Sequence, residues 1–295
     1  MPRPDFDALI LAADRQCPDP VTIDTQATCK AFVEIGGQPM ISRVIAALRG
    51  SGLVNSIAIS VHPNCNPREG APIPRALQGD PDLDWIDANA SVSESVQAHI
   101  HHNRERDRPL IVTTADHPLL TGAHVADFLQ MTRNSDAAAV AGIVPYSLVK
   151  TVYPGSVRTR LAFRDEIVTG CNLFAFMGAR AIPAIRYWQQ LESYQKQPLR
   201  RAMSIGPFTL LSYMAGWLSL RGVTRKLERC TGVPLAFIRL TDPDLAVDVD
   251  SPEDLILVSR ILANRAISGE DTATERPSAE ITEIDTARKR NRGVA

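Results

Sequence analysis

Apolar and polar positions along this chain switch between a two-residue and a 3.6-residue period, and the switches predict its elements. Residues 8–13 are an unbroken apolar run that gives way to the polar Asp14-Arg15-Gln16, which reads as a buried strand feeding a loop. The loop closes on Lys30, just ahead of the apolar patch at 31–35. A tight turn, Ile35-Gly36-Gly37-Gln38-Pro39-Met40, follows, and Ile41, Val44, Ile45 and Leu48 then recur at helical spacing up to Gly50 and Gly52. Residues 56–61 are β-branched and apolar, a second strand. The order strand, helix, strand argues for parallel pairing with a right-handed crossover. Residues 64–79, dense in Pro, Gly and Arg, predict a loop.

Ser91 and the hydroxyl residues after it, with Glu94 in the first turn, predict a helix start. Residues 109–114 form a third strand and 137–144 a fourth. Residues 153–161 and 170–176 read as strands bearing polar residues, 180–229 as helical, and 235–240 as a last strand. Ser251 before Pro252 and two acids marks a further helix start, with the proline at its first position. Beyond residue 267 charged and hydroxyl residues dominate, the composition of a disordered tail.

Composition narrows the classes. With 44% hydrophobic and 22% charged residues the chain is ordinary globular protein, and its net charge of −1 gives no whole-chain pull toward nucleic acid or an anionic membrane, although local clusters remain open. Five scattered cysteines without a C-x-x-C pair suggest neither a disulfide framework nor a zinc knuckle. No apolar leader and no run of roughly 20 apolar residues are seen, so a soluble, cytoplasmic protein is expected. The apolar stretch 208–220 is too short to span a bilayer. Core or lid is its first reading, and a membrane-facing lid with peripheral contact its second.

Candidate chemistry gathers at predicted strand ends. Lys30 lies where open α/β sheets bind ligands, and one of only five lysines in an arginine-rich chain suits a compact charge beside a phosphate; a solvated loop lysine is the alternative. Asp116, at the end of the third strand, is placed to hold a hard cation such as Mg²⁺ on a nucleoside triphosphate, or to cap the helix starting near Gly122. Lys150, Arg158 and Arg160 make a basic cluster fit for an anionic acceptor, or a solvated edge strand. His99, His101 and His102 put only their outer pair near one face, which disfavours a metal site.

In order, Leu11-Ala12-Ala13, Lys30, Ile35-Gly36-Gly37-Gln38-Pro39-Met40, Ala115-Asp116-His117-Pro118-Leu119-Leu120 and Asp248-Val249-Asp250-Ser251-Pro252-Glu253-Asp254-Leu255 resemble the signature of nucleotidyltransferases with a MobA-like NTP transferase domain, across residues 7–262. The resemblance implies an α/β fold of the glycosyltransferase-A type: a mostly parallel, Rossmann-like three-layer sheet with a helical insertion. Its domain would span 5–266, with 178–232 as a helical acceptor-side or lid segment and 267–295 as tail. It implies transfer of a nucleotidyl group from an NTP, CTP favoured, to a small phosphorylated acceptor with release of pyrophosphate. Ala12, Ala13, Arg15, Lys30 and Ser95 would bind the nucleotide. Asp116 and Asp250 would hold Mg²⁺ with Asp248 close by, and Lys150, Arg158, Asn172 and Lys196 would face the acceptor.

One position departs from the pattern. The family reads Leu-Ala-Ala-Gly-x-Gly, whereas Asp14 and Gln16 stand here, and an aspartate beside a triphosphate repels it unless it faces away or binds metal. A non-catalytic nucleotide-binding relative is therefore one alternative. A nucleotide-sugar-dependent glycosyltransferase is another, although its D-x-D would be expected in mid-chain rather than at 248–250. A dehydrogenase is disfavoured because no G-x-G-x-x-G follows the first strand.

Overall fold

Strand β1, Phe6–Leu11, is buried along almost its whole length, as its unbroken apolar sequence requires of a central parallel strand. The computed structural model describes residues 5–14, 19–23, 25, 27–105, 107–194 and 206–268. After β1 come β2 Glu34–Ile35, β3 Gln38–Pro39, β4 Val54–Val61, β5 Leu83–Asp87, β6 Leu110–Thr114, β7 Ala139–Pro145, β8 Leu161–Ala162, β9 Ile167–Phe176 and β10 Leu235–Arg239. The helices are α1 Met40–Gly50, α2 Val92–His102, α3 Gly122–Arg133, α4 Tyr146–Val152, α5 Ile182–Ser193, α6 Pro207–Met214, α7 Leu220–Thr231 and α8 Pro252–Ser268.

The main sheet runs β10-β7-β9-β6-β1-β4-β5, with β8 paired to β9. All pairs are parallel except those of β9, which lies antiparallel between β6 and β7. The chain moves from β1 to β4 and β5 on one side, then crosses to β6 on the other. The carboxyl end of β1 is thus the point where the strand order reverses, the usual ligand crevice of such sheets.

Three layers follow from the two-residue period of the strands. Ala8 and Ile10 pack with Ile57, Ile59 and the α1 and α3 residues Val44, Leu48 and Phe128. Leu9, between them, faces the other way with Ala58, Val112 and the α2 and α5 residues Val96, Ile100 and Ile185. The expected α/β sheet, mostly parallel and flanked by helices, is the one observed.

Two segments differ from the sequence reading. Residues 83–87 form β5, an edge strand whose Leu83 and Trp85 point into the core; its short acidic sequence after a Pro-rich loop hides it. Residues 153–160 are not a strand. Pro154 and Gly155 interrupt pairing, Lys150 Nζ donates to the Pro154 and Ser156 carbonyls at 3.1 and 2.7 Å, and only β8 remains of the expected strand. The tail expected beyond residue 268 lies outside the described residues. Among the described residues no helix is long and apolar enough to cross a membrane.

Helices α1 and α3 meet through glycine. A Cβ on Gly122 would lie 2.7 Å from the Gly50 carbonyl carbon and 2.9 Å from its oxygen, backbone atoms that have no rotamer to change. Gly122→Ala is therefore expected to lower stability by about 1–3 kcal/mol, measured as the urea midpoint at constant m-value; an unchanged midpoint would show that the helices separate without cost.

Candidate active site

Lys30 opens a short 3-10 turn, Lys30–Phe32, on the loop after β1. The Asp14 carboxylate accepts from the Lys30 backbone N–H at 3.2 and 3.1 Å and so satisfies a donor at the start of that turn. Asp14 therefore faces the loop backbone. Its pKa is raised chiefly by burial, against the lowering effect of that hydrogen bond.

The Lys30 ammonium reaches the end of β6 and the start of α8 at once. Its Nζ lies 2.6 Å from Asp116 Oδ2 and 2.7 Å from Asp250 Oδ1. Burial opposes its charge, but the two carboxylates outweigh burial and its pKa rises. Asp116 is free for this role because Thr121, with His124 in a capping box, caps α3 in its place. The Asp116 carbonyl accepts from Val249 N–H at 2.9 Å, which draws the Asp248–Asp250 segment across the mouth of the sheet. Val247 and Val249 are buried on either side of Asp248, so the aspartates at alternate positions turn toward the cleft.

Asp248 sits behind this pair. Arg158 Nη1 donates to its Oδ1 at 2.6 Å and Asn172 Nδ2 to its Oδ2 at 3.0 Å, while Arg158 Nη2 reaches Asp254 at 2.5 Å. Burial, with help from Asp116 and Asp250, pushes the Asp248 pKa up to about 6. Asn172 adopts φ +53° where the β7–β9 register shifts, a left-handed conformation that asparagine tolerates better than most residues. Four carboxylates thus meet two cations, and Asp116 Oδ1 is buried with no hydrogen-bond partner. Among the described residues no group of three ligating side chains suits a metal ion by itself. The unpartnered Asp116 Oδ1 is an oxygen donor of the kind magnesium takes, since that ion uses one or two protein carboxylates and completes its shell with phosphate oxygens and water.

Other expected site residues stand elsewhere. Ala12 is buried and Ala13 exposed at the end of β1, beside Lys30's loop. Ser95 is buried and donates to the Ser91 carbonyl while accepting from Asn89 N–H, so its hydroxyl braces the start of α2 rather than presenting itself to a base. The basic cluster is not one pocket. Lys150 staples the 153–156 loop, and Arg158, only 5% exposed, has its charge taken up by Asp248 and Asp254. The acceptor role expected of Arg158 gives way to positioning of carboxylates. Arg15 and Lys196 lie outside the described residues. His99 is buried while His101 and His102 are exposed, so the three do not converge. The sequence reading also missed His117, fully buried beside Asp116, which burial pushes down to about 4 and so keeps uncharged at neutral pH. Its only signal was its place after Asp116.

A family model described as MobA-like NTP transferase domain matches residues 8–202. The chain belongs to that family. The match includes Lys30 and Asp116 and stops before Asp248 and Asp250, which reach the site through the Val249 hydrogen bond. Among solved structures, a hypothetical transferase from Thermus thermophilus is 27% identical with a TM-score of 0.70, covering 85% of this chain and 99% of its own. CMP:2-keto-3-deoxy-manno-octonic acid synthetase complexed with CTP aligns at 15% identity and TM-score 0.54, covering 88% and 99%. The 4-diphosphocytidyl-2C-methyl-D-erythritol synthase of Anaerococcus prevotii aligns at 10% identity and TM-score 0.50, covering 88% and 98%. These last two share the fold.

Removing one partner of a buried charge network strands the rest. Arg158→Ala is expected to cost about 3–5 kcal/mol of stability, because Asp248 and Asp254 lose their counter-charge. Chemical denaturation measures it; a loss below about 1 kcal/mol would mean that water replaces the guanidinium.

Proposed function

We propose that this family member transfers a nucleotidyl group from an NTP, with CTP favoured, to a small phosphorylated acceptor and releases pyrophosphate. The observation that carries the reading is the Lys30 ammonium held between Asp116 and Asp250, at the sheet's switch point, beside the unpartnered Asp116 Oδ1. The preference for CTP rests on two fold relatives, one solved with CTP and one named for a cytidyl product. A cytoplasmic location is proposed with it.

In this reading Asp116 and Asp250 would hold Mg²⁺, which would supply positive charge to the triphosphate. An acceptor phosphate oxygen attacks the α-phosphorus in line, a P–O bond forms, the bond to the β-phosphate oxygen breaks, and pyrophosphate leaves with the electron pair. Lys30, at the mouth of the cleft beside Asp116 and Asp250, offsets charge on the leaving pyrophosphate. Arg158 and Asn172 fix Asp248 and, through it, the direction of Asp250. Lys196 is proposed to meet the acceptor.

Geometry weighs against the alternatives. A glycosyltransferase D-x-D would offer two carboxylates to a metal, but both Asp248 oxygens already accept hydrogen bonds from Arg158 and Asn172. The repulsion that favoured a non-catalytic relative is reduced because Asp14 is turned onto the Lys30 N–H.

Pyrophosphate release tests the proposal, with each of the four NTPs, Mg²⁺ and a panel of phosphorylated acceptors. CTP is expected to lead, and Asp116→Asn and Lys30→Met to lower kcat/KM by about 10²–10³-fold. CTP with Mg²⁺ at about 100 times its Kd should also stabilise the protein by about 2.7 kcal/mol. Full turnover in Asp116→Asn would remove that residue from the site, and stabilisation without pyrophosphate release from any acceptor would favour the non-catalytic reading.

A further inference from the structure

Half of the large apolar side chains exposed among the described residues fall within ten consecutive positions: Phe208, Leu210, Leu211, Met214 and Trp217. Phe208 is 83% and Trp217 72% exposed, values far from those of core residues and concentrated in one place. Phe208, Leu211 and Met214 are three residues apart on α6 and share one face. Another side of the helix is anchored, for Tyr213 packs edge-on against Phe163 and its hydroxyl accepts from Ala162 N–H. The apolar face is therefore held outward on a fixed helix.

The next helix supplies the charge. Leu220 and Val223 of α7 pack inward with Ile143 and Val168, whereas Arg221, Arg225 and Arg229, spaced four apart, line its exposed side. Among the described residues none of the three is in an ion pair, and a Cβ on Gly206 would lie 3.3 Å from Lys226 Nζ, so that ammonium stands at the start of α6. Over 195–231 the sequence has seven Lys or Arg against one Glu, and 206–219 has no charged residue at all, in a chain of net charge −1. An uncharged apolar segment bearing Trp, flanked on both sides by cations, is complementary to an anionic lipid interface: rings and aliphatic chains enter the acyl boundary while arginines meet headgroup phosphates. A second copy of the chain would present the same cations to themselves.

We infer that α6 and α7 form a docking surface for an anionic bilayer. The surface sits at the business end of the sheet. Because β9 runs antiparallel, its start at Ile167 and the β8–β9 hairpin that Tyr213 grips lie at the carboxyl edge of β7, the edge where the segments after β1 and β6 carry Lys30 and Asp116. Docking brings the mouth of the active site toward lipid-borne phosphates. The inference rests on the surface alone and stands or falls separately from nucleotidyl transfer.

Flotation of the full-length protein with vesicles tests it, using phosphatidylcholine alone or with about one third phosphatidylglycerol. Binding is expected only with the anionic vesicles, weakening on raising salt, with a blue shift of Trp217 emission. Leu211→Ser combined with Trp217→Ser, and separately Arg221→Gln with Arg225→Gln and Arg229→Gln, should each lower partitioning by about tenfold or more, with circular dichroism and melting temperature unchanged. Absence of flotation, equal binding to neutral vesicles, or wild-type binding by both variants would overturn the proposal. So would a concentration-dependent dimer that the Leu211/Trp217 variant abolishes while anionic vesicles leave the wild type unbound, which would assign the face to a second copy.

Discussion

A single ammonium group ties the cleft together. Lys30 Nζ meets Asp116, 86 positions on in the sequence, and Asp250, 220 positions on, within 2.7 Å of each. Without it, carboxylates at the ends of two elements would face each other in a partly dry cleft, where like charges repel strongly. The contact forms only if β1 and β6 are neighbours and α8 docks across them. Val33, Ile35 and Met40 from the hairpin region, Leu119 after β6, and Val247, Val249, Val258 and Leu262 around α8 make the apolar cluster that enforces this. Hydrophobic burial sets the distance, and charge uses it.

The outer shell of the cleft follows the same logic. Asp248 is buried enough for its pKa to rise to about 6, and it is held by a guanidinium and an amide rather than by solvent. Tyr153 and Arg265 both bond Asp244, which is itself buried, so the turn that precedes Asp248 is pinned from two sides. A carboxylate meant to meet a cation gains little from being near the right place; it has to be fixed there before the ligand arrives, because reorganisation would cost part of the binding energy.

Much of this frame was legible in sequence. The unbroken apolar run of β1, the helical spacing of Ile41, Val44 and Leu48, and Ser251-Pro252 at the start of α8 are local signals, and each held. What escaped was non-local. Arg158 looked free because its sequence neighbours Lys150 and Arg160 are cationic, yet its carboxylate partners stand 90 and 96 positions away. Ser95 was a nucleotide contact by family resemblance, and only the fold shows its hydroxyl bonded to the Ser91 carbonyl and the Asn89 N–H. The antiparallel course of β9 has no signature in its own residues. It is set by the strands on either side, and by Gly142, where a Cβ would stand 2.5 Å from Cys171 Sγ in the irregular register that aims Asn172.

Asp14 shows how one departure from a family pattern redistributes work within a site. A glycine there would leave the Lys30 N–H open to a phosphate oxygen; here a carboxylate occupies that donor from within the loop, at 3.1–3.2 Å. The backbone at Lys30 becomes rigid, which suits a side chain that must span two aspartates, but the loop gives up one amide and gains a negative charge. On the proposed reading, charge on an incoming triphosphate would be met mainly by the Lys30 ammonium and by a cation on Asp116 and Asp250, and less by loop amides as in a glycine-rich cradle. On that reading nucleotide affinity would depend more steeply on the divalent cation than in a glycine-rich loop, since the cation would replace protein donors rather than supplement them.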